Sequence, residues 1–214
     1  MSSPEPTNNA ALQSRNWSHT ILVAALVLVG VGLVFRALKS KYLPEVAHLD
    51  KSCVDETKAY AMTDNYMSGI IDRGEEFQVL VGYYECNPVQ PKDIVLFNDP
   101  EKQQPVVKVV RAVPEDKFAV FPDKRDRRWN IKINGETLVH RDDPYSFGLK
   151  TAGSPLLNYE KENGSKVPTG QVIIFSYKPP GIQDSSTFGT IPISKLIGKV
   201  IVDPARLEKI GKNF

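Results

Sequence analysis

A lysine inside a run of β-branched residues is the position in this sequence with the clearest chemical potential. Lys108 stands in Val106-Val107-Lys108-Val109-Val110, where a central strand would wrap its stem in apolar side chains. Such burial disfavours the ammonium form and lowers the pKa, and a lysine acts as a general base only when its neutral amine is populated. On an edge strand the same lysine would point to water and be an ordinary surface charge. A base needs a hydroxyl to activate. Hydroxyls are plentiful in the chain, among them Tyr66 and Ser68 in the block Tyr66-Met67-Ser68-Gly69-Ile70-Ile71-Asp72-Arg73-Gly74-Glu75, and Lys108 by itself selects none of them. A further polar block, Asp184-Ser185-Ser186-Thr187, precedes Phe188-Gly189 and taken alone reads as a turn.

Other chemistries lack their signatures. The chain has no HExxH, no GxSxG and no Gly-rich phosphate loop, and His19, His48 and His140 stand apart from one another, so no metal or cofactor is expected. Two cysteines, Cys53 and Cys86, are too few and too far apart for a zinc site or a CxxC redox motif. They are either one disulfide, formed in an oxidising compartment, or two free thiols. Net charge is +2, from 27 basic and 25 acidic residues, which gives no global attraction for nucleic acid. The cluster Lys124-Arg125-Asp126-Arg127-Arg128 is short and interrupted by an acid, and reads as a solvated loop.

The elements that must position these residues read as strands. Glu76 to Cys86, Asp93 to Asn98, Val106 to Val113 and Lys117 to Phe121 are β-branched or aromatic runs bounded by Pro, Asn and Asp. Trp129 to Ile133 alternates with period two, meets Asn134-Gly135, and returns as Glu136 to Val139, a strong hairpin signal. Gln171 to Tyr177 and Leu196 to Val202 complete the set, with an irregular insertion from Arg141 to Thr169 and one short helical turn at Pro204 to Ile210. The expected fold is mainly β and antiparallel.

Ahead of that domain, residues 1–16 form a polar tail that cannot bury enough surface to order itself. Ile21 to Phe35 then carries no polar side chain, and the apolar stretch 17–38 is long enough to span a hydrocarbon core as a helix, with Trp17 as an interfacial anchor. Arg36-Ala37-Leu38-Lys39-Ser40-Lys41 follows in place of a small-x-small cleavage site, which favours an uncleaved anchor over a signal peptide. Arg36, Lys39 and Lys41 after the span outnumber Arg15 before it, and this bias by itself would keep the large domain in the cytoplasm.

Together the blocks resemble a type I signal peptidase over roughly residues 58–202. The family's nucleophile block reads Ser-Met-x-Pro-Thr-Leu-x-x-Gly-Asp, against Tyr66 to Glu75 here. Its lysine precedes a Pro-Gly-Asp turn by six residues, as Lys108 precedes Pro114-Glu115-Asp116. Its Gly-x-Ser-x-Asp-Ser-Arg-x-Phe-Gly segment is similar to residues 180–189, followed by Ile197-Gly198-Lys199-Val200. The resemblance implies a Ser/Lys dyad with Lys108 as base, Met67, Asp184 and Ser185 as structural support, and exported, signal-peptide-bearing proteins as substrates. It also implies a single-pass plasma (inner) membrane protein with its β domain extracytoplasmic, opposite to the flanking charges.

Three positions depart from the family pattern. Tyr66 replaces the nucleophilic serine, Ile182 replaces the serine that helps hold the lysine amine, and Ser186 replaces the arginine expected to pair with Asp184, unless Arg73 or Arg111 reaches in. A phenol places its oxygen several ångströms further out than a serine and cannot attack from the same place. Ser68 is the substitute hydroxyl, on the same face of a strand-like backbone but displaced by roughly 6–7 Å. The expected layout is tail 1–16, membrane helix 17–38, linker 39–57, β domain 58–202 and C-terminal tail 203–214. Three readings follow: a serine endopeptidase acting through Ser68, an inactive relative that binds exported peptides as a chaperone or assembly factor, and a tethered β domain without peptide binding.

Overall fold

The computed structural model describes residues 49–99, 101, 104–150 and 153–211. The expected polar tail, the membrane span and most of the linker lie outside the described residues. Among the described residues no helix is long and apolar enough to cross a membrane.

The strands are β1 (Glu56–Ala61), β2 (Glu76–Val81), β3 (Ile94–Asn98), β4 (Pro105–Ala112), β5 (Phe118–Pro122), β6 (Arg128–Ile133), β7 (Glu136–Thr137), β8 (Val139–His140), β9 (Asp143–Pro144), β10 (Phe147–Leu149), β11 (Gln171–Phe175), β12 (Ile191–Pro192) and β13 (Leu196–Ile201). The helices are α1 (Pro155–Asn163), α2 (Ser185–Phe188) and α3 (Pro204–Ile210). A seven-stranded sheet runs β1-β2-β13-β3-β4-β11-β12, and a four-stranded one runs β10-β6-β5 with β7 on β6. The pairings within both are antiparallel, so the mainly β antiparallel expectation holds.

Strand β4 is buried along almost its whole length, because apolar clusters press on it from both sides. Val107 and Val109 join Met67, Ile70, Phe77, Val79 and Leu96, while Val110 joins Val95, Phe97, Val172 and Ile174. A third cluster, built on Phe118, Ile131, Tyr145, Phe147 and Phe175, fills the space under the smaller sheet. The β6–β7 hairpin turns at Asn134 (φ 50°) and Gly135 (φ 89°), the paired positive angles that a two-residue primed turn needs.

Four boundaries differ from the expected ones. The strand expected to reach Cys86 stops at Val81, since Gly82 takes φ 78° and starts a 3-10 turn at Tyr83–Glu85. The linker expected to reach residue 57 ends earlier, because Glu56 and Thr57 already pair with Val81 and Leu80. The stretch 141–169 is not wholly irregular: it holds β9, β10 and the nine-residue α1, whose N-terminus is capped by Ser154 Oγ accepting from the Leu157 amide. Residues 203–211 hold the expected helical turn as α3, packed against the domain that was expected to end at 202. Asp203 caps α3, Leu207 and Ile210 pack on the first cluster, and Arg206 Nη1 donates to the Ile70 carbonyl and to Glu75.

Candidate functional site

Tyr66 sits in a folded series of turns between β1 and β2. Met62 donates its amide to the Glu75 carbonyl and accepts from Gly74, closing the base of the excursion, while Ile70 and Ile71 both donate to the Met67 carbonyl. Met67 and Ile70 are fully buried and fasten the turns to the first cluster. Residue 66 is held at both ends: its amide donates to Asp64 Oδ1 at 2.8 Å, and its carbonyl accepts from the Lys178 amide at 2.9 Å.

Lys108 pairs with Val95 on β3. Because Phe175 pairs with Val109, the next step of that antiparallel register brings Ser176 beside Lys108. The lysine is 1% exposed, and its Nζ donates to Ser176 Oγ at 2.9 Å and to the Ile182 carbonyl at 2.8 Å. The remaining neighbour is Tyr66, with its ring centroid 5.7 Å from Nζ. Burial lowers the Lys108 pKa below its usual value, opposed by the negative charges of Asp184, Asp64 and Asp99.

Behind the lysine stands Asp184, fully buried. Its Oδ2 accepts from the Ser176 amide at 3.0 Å and from Ser176 Oγ at 3.2 Å, and its Oδ1 accepts from the Ser186 amide at 2.9 Å to cap α2. Ser176 therefore relays between an anion and a cation, accepting from Lys108 and donating to Asp184. Ser185 Oγ accepts from the Ile174 amide at 2.9 Å, where the β11–β4 register shifts. Tyr145 donates its phenolic hydrogen to the Ser176 carbonyl at 2.8 Å. Gly181 passes so close to Asp184 and the Tyr145 hydroxyl that a Cβ would collide with both.

A neutral amine has two hydrogens and one lone pair. With Ser176 and Ile182 taking the hydrogens, the lone pair of Lys108 is left to face residue 66, the geometry a base needs toward its nucleophile. An aromatic ring fills that position instead. Its electron-rich face attracts an ammonium and offers nothing to a lone pair, and Lys108 Nζ lies 5.7 Å from its centroid.

Several sequence expectations resolve differently in three dimensions. The shared-face argument for Ser68 assumed a strand, but Tyr66 to Ile70 are turns and the Ser68 amide donates to the Asn65 carbonyl, so the two-residue periodicity does not apply. Asp184 is braced by the Ser176 and Ser186 amides and by Ser176 Oγ. The hydroxyl missing at position 182 is supplied by Ser176, and Ile182 contributes its carbonyl. Sequence reasoning missed Ser176 and Asp64. No sequence signal marked Ser176, whose place depends on the β4–β11 register, while for Asp64 the available signal was an Asx turn two residues before Tyr66.

Cys53 and Cys86 form a disulfide with Cα atoms 5.9 Å apart, joining the segment before β1 to the turn after β2. His140 packs edge-on against Tyr177 with ring centroids 4.7 Å apart. Burial, with the nearby charges of Arg141, Arg111 and Lys178, holds its pKa below the usual value. Among the described residues no group of three or more His, Cys, Asp or Glu side chains could hold a metal ion.

A cleft of about 230 Å³ opens beside the site, lined by Tyr60, Met62, Asp64, Phe77, Leu96 and Val107 among others. Neither Lys108 nor Tyr66 lines it; its link to the site is Asp64, whose carboxylate accepts from the Tyr66 amide. The wall is mostly apolar, with Thr63, Asp64, Gln104 and the Tyr60 hydroxyl among its polar groups, a composition that suits an extended peptide with small or apolar side chains.

A family model described as signal peptidase, peptidase S26, matches residues 14–203. Among solved structures, a signal peptidase I from Enterococcus faecalis V583 aligns with 23% identity and a TM-score of 0.35, covering 53% of this chain and 97% of that one. Comparison with curated proteins gave no match.

Proposed function

The chain belongs to the signal peptidase family, peptidase S26, and from that premise we propose that it is a membrane-anchored member that binds the signal-peptide region of exported proteins without cleaving it. The observation that carries this reading is the Tyr66 ring, 5.7 Å from Lys108 Nζ, in the place where the family's dyad needs a serine. The cleft that shares Asp64 with the site supports a peptide-binding role, and in this reading the nucleophile is absent while a groove is kept. A chaperone or assembly factor for exported chains fits a protein with those parts.

Residues 17–38 supply the anchor in this reading, and the β domain lies on the extracytoplasmic side of the plasma membrane. The Cys53–Cys86 disulfide supports that side, since such bonds persist in oxidising compartments, against the cytoplasmic placement that Arg36, Lys39 and Lys41 favour.

Fluorescence anisotropy with a labelled signal peptide, followed by mass spectrometry of the same mixture, tests the proposal. Saturable binding with an intact peptide is expected, and Tyr60→Ala should weaken binding roughly tenfold, about 1.4 kcal/mol. Absence of binding refutes the reading. A second reading, an endopeptidase using Ser68, draws support from the buried Lys108 with its lowered pKa. Cleavage by the unmodified chain, abolished by Ser68→Ala, would establish it.

A further inference from the structure

We infer that Asp64 is a second lock on the site, independent of Tyr66: its carboxylate occupies the backbone N–H of residue 66 and places negative charge where an acyl-transfer oxyanion would form. Attack of a hydroxyl on a carbonyl builds a tetrahedral intermediate whose oxyanion must be met by fixed donors. In hydroxyl-based peptidases the backbone N–H of the nucleophile residue itself is a common donor. Here that amide is already committed to Asp64 Oδ1 at 2.8 Å. Asp64 also lines the cleft, so a carbonyl bound there would approach an anion. The same carboxylate acts on Lys108, where its charge favours the ammonium form.

None of these effects involves the phenol, so they survive its removal. The inference rests on the reading that the native site does not cleave, and it sets out why restoring a serine would not suffice.

Acylation by p-nitrophenyl acetate tests it without requiring peptide binding. In Tyr66→Ser, the introduced hydroxyl attacks the ester carbonyl and passes its proton to the neutral Lys108 amine. The bond to p-nitrophenolate breaks, leaving an acetyl group on the oxygen of residue 66. Burst rates are compared among Tyr66→Ser, Tyr66→Ser/Asp64→Ala and Tyr66→Ser/Asp64→Asn, with the modified residue identified by peptide mass mapping. Tyr66→Ser should stay near the unmodified chain. Adding Asp64→Ala should speed acylation by at least about tenfold, toward the 10²–10³ that one oxyanion donor is worth. Asp64→Asn removes the charge but keeps an acceptor for the amide, and its rate should fall between the two.

Equal rates for Tyr66→Ser and Tyr66→Ser/Asp64→Ala overturn the inference. Should the alanine variant fail to fold, the near-isosteric Asp64→Asn decides, and a rate no higher than that of Tyr66→Ser overturns it. Signal-peptide binding measured on the same variants separates the two ideas. A gain in acylation without peptide binding defeats the peptide-binding reading and leaves Asp64 as the lock, whereas intact binding without any gain does the reverse.

Discussion

At the scale of single residues, the site is a buried line of polar groups running from Asp184 through Ser176 and Lys108 to the Tyr66 ring. Ser176 is its joint. Ser176→Ala leaves a buried carboxylate short of one donor and a buried ammonium short of one acceptor, and should destabilise the domain by about 1–3 kcal/mol in urea unfolding. Lys108 gives a pH signature. Its folded pKa lies below the ordinary 10.5, so between those two values the unfolded chain binds more protons and stability rises with pH. Below the folded value the penalty of burying the charge is fully present. Unfolding measured from neutral pH up to about 10.5 should therefore show the parent gaining on Lys108→Met as the pH climbs; parallel curves would contradict a buried, depressed lysine. Lys108 was legible only through the family block: the valine run by itself suits an edge lysine pointing to water equally well, and the spacing to Pro114-Glu115-Asp116 is what singled it out. Ser176 was not legible, because its role depends on strand register with Lys108, 68 residues away in sequence, and no local pattern encodes a register.

Among elements, strands were easier to read than helices. Period-two runs and the Asn134-Gly135 turn declare themselves locally, and those strands pair as expected. Helix α1 has only Leu156 buried, too little apolar periodicity to announce a helix, and its caps at Ser154 and Gly164 carry the signal instead. The stretch from Met62 to Glu75 fell outside the expected strands, and only the pair Tyr66 and Ser68 was given a strand-like backbone; its apolar residues, Met67, Ile70 and Ile71, face one cluster through local folding and not through alternation. Strand β1 is exposed along most of its length and gains little from burial, so its hold on β2 depends on the ladder and on the Cys53–Cys86 bond. Replacing both cysteines by serine should cost about 2–5 kcal/mol. Amide hydrogen exchange should show the loss concentrated in β1 and in the turns that follow it; a uniform loss across the sheet would argue against this picture.

For the molecule as a whole, the family was legible from three blocks spread over much of the chain, and the departures from those blocks proved more informative than the matches. The expectation of a membrane span at residues 17–38 predicts that full-length protein stays with the membrane pellet through high-salt and alkaline washes and is released only by detergent. Release by either wash would remove the span. The disulfide has one more consequence, in the covalent topology of the chain. Cys53 and Cys86 lie 33 residues apart, and the ring of polypeptide they close contains β1, Asp64, Tyr66 and the exposed Arg73. A trypsin cut after Arg73 would therefore divide the backbone without dividing the molecule. The nicked protein should migrate as a single species on a denaturing gel until a reductant is added, and then fall into two pieces, one carrying the N-terminal segment with Tyr66 and the other carrying Lys108.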